Sequence, residues 1–142
     1  MKKVKENFKE ILHNNNYKAT SARLAILEAF SETCNPLTAE EIFKKVKKIG
    51  TDLVTVYRTL SAFEESGIVR KVDLRRDAAY FELATDHHHH HIVCTDCGDI
   101  EDFENEGIEK AAEKIQSRSK KFKTITNHSL EFFGHCIDCS KK

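Results

Sequence analysis

The chain has 142 residues, of which 39% are hydrophobic and 32% charged, and its formal net charge is zero. That length suits one ordinary domain or two small ones, and the balance excludes a disordered chain. No apolar run approaches the ~20 residues that a membrane helix needs. The opening "MKKVKENFKEIL" lacks the continuous apolar core and small-residue cleavage site of a signal peptide, so the expected location is cytoplasmic and no membrane partner is expected. In that reducing compartment five cysteines point to metal binding rather than disulfides. The neutral total hides an asymmetry. Residues 1 to 83 carry fifteen Lys/Arg against twelve Asp/Glu, net +3, whereas residues 84 to 142 carry eight against eleven, net −3. A half that favours polyanions precedes a half that favours cations.

Val4, Phe8, Ile11 and Leu12 recur at helical spacing and predict a first helix over 3–14. Thr20 or Ser21 can cap a second helix, "ARLAILEAF", whose Ile26, Leu27 and Phe30 share one face. In "LTAEEIF" Thr38 and Glu41 have the spacing of a capping box and open a third helix. Residues 52–66 form a fourth, with Val56, Leu60 and Phe63 facing the core and Gly67 as its stop. Two alternating runs follow, "IVRKVDL" and "AYFEL", joined by the polar turn "RRDA". Helices followed by a basic-tipped hairpin predict a winged helix-turn-helix over residues 1–84. Its second helix enters a major groove with its N-terminal residues against base edges. The polar positions there are Thr55, Tyr57, Arg58 and Thr59. Arg58 suits bidentate reading of guanine, and Tyr57 suits either a thymine methyl or a phosphate. Lys18, Ser21 and Arg23, around the start of the second helix, suit phosphates.

Residues 85–142 read as a small α/β unit, which makes the whole an α+β protein. "HHHIVC" and "DIEDF" are strands around a cysteine turn, "IEKAAEKIQSRSKK" is a helix, and "FKTITNHSLEFFGHC" alternates as a strand or strand pair. A unit this small has a marginal core and needs a staple or a partner copy. Cys94 with Cys97, and Cys136 with Cys139, form two C-x-x-C turns. Together they supply the tetrahedral four-sulfur set of a structural Zn²⁺. A thioredoxin-like redox pair is the alternative, but no βαβ pattern surrounds either turn. Cys34 stands alone before "NPL", either as a small half-buried residue or as a ligand.

"DHHHHHIVCTDCGD" places five histidines before the first C-x-x-C. On a strand their side chains alternate, with His87, His89 and His91 on one face and His88 and His90 on the other. Carboxylates lie on both sides in sequence: Glu82 and Asp86 before, Asp99, Glu101, Asp102 and Glu109 after. His128 and His135 approach the second cysteine pair. Mixed nitrogen and oxygen ligation of this kind suits Fe²⁺, Zn²⁺ or Mn²⁺. An enzyme is not expected. The H-x-E with P-C-x-x-C arrangement of zinc deaminases is missing, and no open three-ligand catalytic site is evident.

Taken in order and spacing, "YKATSARLAIL", "LTAEEIF", "TVYRTLSAFEESGIV", "YFEL", "HHHHHIVCTDCG", "TNHSLEFFGHC" and the final C-x-x-C resemble the ferric uptake regulator family of bacterial metal-dependent repressors. The resemblance covers nearly the whole chain. It implies a homodimer, with residues 85–142 as the dimerisation and metal-binding domain, and a repressor of metal homeostasis genes, for iron or zinc. It also implies that a regulatory ion biases a hinge toward the arrangement that fits a pseudo-palindromic double-stranded operator. Carried over by position, the structural zinc falls on Cys94, Cys97, Cys136 and Cys139. A regulatory metal falls on Glu82, His89 and His91, joined in the peroxide-sensing branch by Asp102. A second metal falls on His88, His90, Glu109 and His128. The minor-groove lysine matches Lys18, and the major-groove tyrosine and arginine match Tyr57 and Arg58. The chain departs from the pattern at Pro36, where the family commonly has a histidine ligand, so that ligand is either missing or supplied by Cys34. It departs again at His90, where the iron-sensing pattern often has aspartate. Two other readings remain open at this point: a constitutive DNA-binding regulator with purely structural zinc, and a peroxide-responsive member of the same family.

Overall fold

The computed structural model describes residues 2–84 and 89–141, and side chains from residue 7 onward. Two compact units divide the chain, Met1–Thr85 and Asp86–Lys142. Among the described residues no helix is long and apolar enough to cross a membrane.

The first unit begins with α1 (Lys2–Asn14) and α2 (Ser21–Ser31). Thr20 is the N-cap of α2, its hydroxyl accepting from the Arg23 N–H at 3.3 Å. A two-residue strand β1 (Leu37–Thr38) leads into α3 (Ala39–Val46). The capping box forms as its spacing predicts: the Thr38 hydroxyl accepts from the Glu41 N–H at 3.2 Å, and the Glu41 carboxylate accepts from the Thr38 N–H at 2.8 Å. A short 3₁₀ turn, Lys47–Ile49, ends at Gly50 with φ 81°, a left-handed conformation that glycine adopts without steric penalty. Asp52 then caps α4 (Leu53–Glu65). The strands β2 (Val69–Val72) and β3 (Tyr80–Leu83) form the hairpin, and β1 adds to the other edge of β3, giving the order β1-β3-β2 with both pairings antiparallel. The core of this unit joins Phe8 and Leu12 of α1, Ile26, Leu27 and Phe30 of α2, Ile42 and Val46 of α3, Val56, Leu60 and Phe63 of α4, and Phe81 of β3. Four helices and a wing thus share one apolar centre, with α3 and α4 as the helix-turn-helix pair.

The capping box gives a first prediction. Thr38→Ala removes one of the two reciprocal bonds that satisfy orphan N–H groups at the start of α3. The expected cost is about 1 kcal/mol, or roughly 4–8 °C in the melting temperature of a unit this size, read by thermal denaturation.

The second unit is a three-stranded sheet, β4 (His90–Cys94), β5 (Ile100–Phe103) and β6 (Glu131–Gly134), with α5 (Glu106–Arg118) crossing between β5 and β6 and a short α6 (Ile137–Ser140) at the end. β4 is central, antiparallel to β5 and parallel to β6. Parallel neighbours need a crossover, and α5 with residues 119–130 supplies it. The alternation of residues 122–136 predicted a strand or strand pair, but only Glu131–Gly134 finds a partner strand. The preceding residues are irregular, tied instead by the Gln116 side chain accepting from the Ile125 N–H at 2.8 Å. α5 starts at Glu106, two residues before the expected Ile108, because the Asn105 side chain caps it by accepting from the Gly107 N–H.

Candidate metal centres and nucleic-acid interface

β4 ends at Cys94, and the chain turns through Cys97 to Gly98, whose φ of 79° lies in the left-handed region. The Gly98 N–H donates to the Cys94 carbonyl at 2.9 Å, and the Cys94 N–H donates to the Asp99 carbonyl at 2.8 Å, which closes the turn. The second pair is fixed by a helix start. Cys136 is the N-cap of α6, its sulfur accepting from the Cys139 N–H at 3.4 Å. The Cys136 N–H donates in turn to the Cys94 sulfur at 3.3 Å, which joins the two turns. All four Sγ atoms lie within 4.8 Å of one another, and Cys97 and Cys136 are 3.7 Å apart. Four sulfurs at the usual Zn–S length mark a tetrahedron with edges of about 3.8 Å, whereas a disulfide needs about 2.05 Å. The donor set therefore fits zinc, as its spacing predicts. Backbone donation by Cys97 and then Cys136 lowers the Cys94 thiol to about 6, and the adjacent Cys136 thiol pushes Cys139 up. One thiolate forms readily and crowding opposes the next, an opposition that a shared dication relieves.

Beside this cluster the His135 Nδ1 and the Asp96 carboxylate meet at 2.9 Å, both exposed. His135 therefore pairs with the cysteine turn and lies apart from the other histidines' groups. Cys34 is exposed in the bend after α2, which corrects the expectation of a half-buried residue: Pro36 and Leu37, not Cys34, fill the space at the start of β1.

The histidines of β4 divide between faces, as strand alternation predicts. His90 is buried and its Nδ1 lies 3.2 Å from the Leu130 carbonyl. A carbonyl only accepts, so Nδ1 carries the proton and Nε2 presents a lone pair. That Nε2 lies 3.5 Å from the Glu109 carboxylate of α5, and the His128 Nε2 lies 3.7 Å from the same oxygen. His90, Glu109 and His128 thus converge, each offering one ligand atom within 4.8 Å of the others. The His90 Nε2 and the Glu109 Oε1 are buried with no hydrogen-bond partner. Orphaned polar atoms facing one another in a low-dielectric site are costly unless a cation sits between them. This set fits a divalent ion. His88, the fourth residue expected here, lies outside the described residues, as do Asp86 and His87.

On the opposite face His91 is buried at 1% exposure, and its Nδ1 lies 2.8 Å from the Asp102 carboxylate of β5. The strands place these residues directly opposite each other in register. The His89 ring stands edge-on to His91, centroids 5.2 Å apart. Asp102, expected as a ligand, is here the hydrogen-bonding carboxylate behind a histidine, an arrangement that fixes the ring and raises the basicity of its other nitrogen. Glu82, on β3, is buried and accepts from the Arg70 guanidinium at 2.6 Å across the hairpin. Asp102→Asn keeps the size but ends the charge on His91. Metal affinity at the His91 face should fall about 10- to 100-fold while the four-cysteine zinc stays bound, as chelator competition would measure.

In the first unit Tyr57 and Arg58 are exposed on α4, and Thr55 and Thr59 are half-buried beside them. Thr55 is partly committed to the helix start. Its side chain and its N–H both hydrogen-bond the Asp52 carboxylate and hold that carboxyl below the usual range. Lys18 and Ser21 are exposed. Arg23 donates to the Lys18 carbonyl at 3.0 Å and lies over the Tyr17 ring at 5.0 Å. It therefore braces the loop that carries Lys18. Sequence reasoning missed two partners of the expected site residues: the Leu130 carbonyl behind His90, and Glu40, which accepts a hydrogen bond from the Tyr57 hydroxyl at 2.5 Å. Both contacts join segments distant in sequence and leave no local signal.

Residues 14–133 match the Ferric uptake regulator family. The ferric uptake regulation protein of Vibrio anguillarum (strain ATCC 68554 / 775) is 40% identical over 128 residues, covering 88% of this chain and 85% of that protein. The crystal structure of the Vibrio cholerae ferric uptake regulator is similar with a TM-score of 0.70 at 38% identity, covering 90% of this chain and 98% of that one. A ferric uptake regulator from Pseudomonas aeruginosa, solved with manganese, has a TM-score of 0.75 at 30% identity, covering 92% and 98%. The match extends over the helix-turn-helix, the histidines of β4 and the first cysteine pair, and this chain belongs to the ferric uptake regulator family.

Proposed function

We propose that this chain is a metal-responsive transcriptional repressor. It binds a pseudo-palindromic double-stranded operator as a homodimer and controls metal homeostasis genes, for iron or zinc. The observation that carries this reading is that β4 holds two imidazole–carboxylate groups on opposite faces, His91 with Asp102 and His90 with Glu109, apart from the four-cysteine cluster. A protein with zinc in a purely structural role has no use for them. Glu82, His89 and His91 hold the regulatory ion, with Asp102 orienting His91. His88, His90, Glu109 and His128 hold the second. Either set accepts Fe²⁺, Zn²⁺ or Mn²⁺ by donor type. Binding shifts the population toward the state that engages DNA through Tyr57, Arg58, Thr55 and Thr59 at bases and Lys18, Ser21 and Arg23 at phosphates. The relatives' name, ferric uptake regulation protein, supports iron as the controlled nutrient. Pairing of two copies is supported by Ile92 and Phe132, neighbours in register on β4 and β6 and 42% and 45% exposed.

The test is metal analysis of the purified protein combined with DNA binding titrated against Fe²⁺, Zn²⁺ and Mn²⁺. One ion per chain should resist mild chelation, a second should exchange, and the exchangeable ion should tighten DNA binding. DNA affinity unchanged after removal of the exchangeable ion, with the four-cysteine zinc intact, would make the protein a constitutive regulator and sink the sensing role.

A further inference from the structure

Tyr57 projects from the exposed side of α4, and its hydroxyl donates to a Glu40 carboxylate oxygen at 2.5 Å. Glu40 belongs to the first turn of α3, so the bond ties together the two helices of the helix-turn-helix pair at their outer surface. A helix N-terminus favours negative charge. Hydrogen bonding from Tyr57, then from backbone N–H and from Thr38, holds the Glu40 carboxyl below the usual range, and the same Tyr57 bond raises the phenol. At neutral pH Glu40 is therefore ionised and Tyr57 is protonated. A phenol has one proton, and here Tyr57 donates it to Glu40.

This changes what Tyr57 can offer to DNA. A phosphate oxygen only accepts hydrogen bonds and must be met by a donor. Tyr57 has no donor left, and the Glu40 charge beside it repels the backbone. Base edges behave differently. Thymine presents a methyl group, and adenine and cytosine present amino donors in the major groove. The ring edge and the free lone pairs of the phenol oxygen match these groups. Lys18 and Arg58 carry no such restraint and remain available for phosphate and guanine. We infer that Glu40 is a positioning residue that makes Tyr57 a base reader rather than a phosphate anchor, raising operator selectivity while lowering affinity for DNA in general. This rests on the DNA-binding reading above, which sets Tyr57 at bases, and adds Glu40 as the residue that holds it to that role.

The test uses the full-length, metal-loaded protein and starts without DNA. Ultraviolet resonance Raman spectra report whether a phenol donates a hydrogen bond, and the wild-type spectrum minus that of Tyr57→Phe isolates one of the three tyrosines. The isolated phenol should appear as a donor to an anion and should lose that signature in Glu40→Gln. An unchanged signature in Glu40→Gln overturns the inference. The DNA arm uses a duplex selected by the wild-type protein from a randomised pool, together with a scrambled duplex of the same composition. If the wild type enriches no sequence, the DNA-binding reading fails and this inference falls with it. Given an enriched duplex, Glu40→Gln should bind the scrambled duplex more tightly. Its ratio of selected to scrambled affinity should fall about tenfold, the discrimination of one good base contact. Tyr57→Phe should lower the ratio similarly, and the double variant should fall no further than either single one, because the two residues act as one unit. Additive losses would mean that the Glu40 charge acts independently of the ring, and a ratio in Glu40→Gln within about twofold of wild type would mean that it does not act on selectivity. Either result overturns the positioning role.

Discussion

Replacing Cys94 with serine should release one tightly held zinc ion per chain and unfold the second unit while leaving the first folded. The asymmetry follows from where the apolar core lies. The contiguous buried cluster runs from Phe8 to Phe81, all within Met1–Thr85. Among the described residues of the second unit, the buried apolar side chains are Val93 and Cys94 alone. A sheet of three short strands with so little buried apolar area cannot offset the entropy of ordering some fifty residues. Structural zinc sites supply roughly 10–16 kcal/mol of apparent binding energy, and that energy becomes folding energy when the site does not exist in the unfolded chain. Cys94 ties the two turns together, its sulfur accepting from the Cys136 N–H and its carbonyl closing the β4 turn. Serine keeps the size but removes a thiolate ligand. Hydrogen exchange followed by mass spectrometry should show residues 90–140 losing protection while the amides of α1–α4 keep theirs, and zinc analysis should show the ion gone. Protection retained across β4, β5 and β6 in the zinc-free variant would sink the argument.

How far the sequence revealed this architecture depends on the range of the interactions. Elements fixed by neighbours in sequence were legible: the capping box of Thr38 and Glu41, the helical period of Val56, Leu60 and Phe63, and the glycine stop after α4. So was the four-cysteine cluster, because two-residue spacing is itself the ligand geometry. Elements fixed by distant partners were not. β1 is two residues long and exists because Leu37 and Thr38 pair with Phe81 and Tyr80. The region before β6 has strand-like alternation but no partner strand, so it stays irregular. Strand alternation placed His90 and His91 on opposite faces, but it could not show that Asp102 lies directly across from His91 or that the Leu130 carbonyl sets the His90 tautomer. The histidine and cysteine motif located ligand candidates, and only the sheet register distinguished a ligand candidate from the group that orients it.

That distinction shapes the other large effect, on the switch itself. His89→Ala combined with His91→Ala should leave the four-cysteine zinc and the metal-free DNA affinity unchanged and abolish the metal-stimulated gain. On the proposed function the regulatory ion acts only by binding the DNA-competent state more tightly than the alternative. Moving a 1:99 population to 99:1 takes about 10⁴-fold, or about 5.5 kcal/mol, of differential affinity. Two imidazoles out of a set of three or four ligands carry most of such a difference, so the double variant should bind DNA with metal as weakly as the wild type does without it. His91 is buried, and its truncation alone could loosen the sheet. His89→Ala by itself removes a half-exposed ring, and Asp102→Asn leaves His91 in place while removing the negative charge beside its Nδ1. Both should weaken the metal response in the same direction with the fold intact by circular dichroism. The opposite face provides the contrast. Glu109→Gln lowers the charge between His90 and His128 without touching His91. If Glu109→Gln abolished the metal response while the His89 and Asp102 variants kept it in full, sensing would belong to the His90 face, and Glu82, His89 and His91 would lose the role proposed for them.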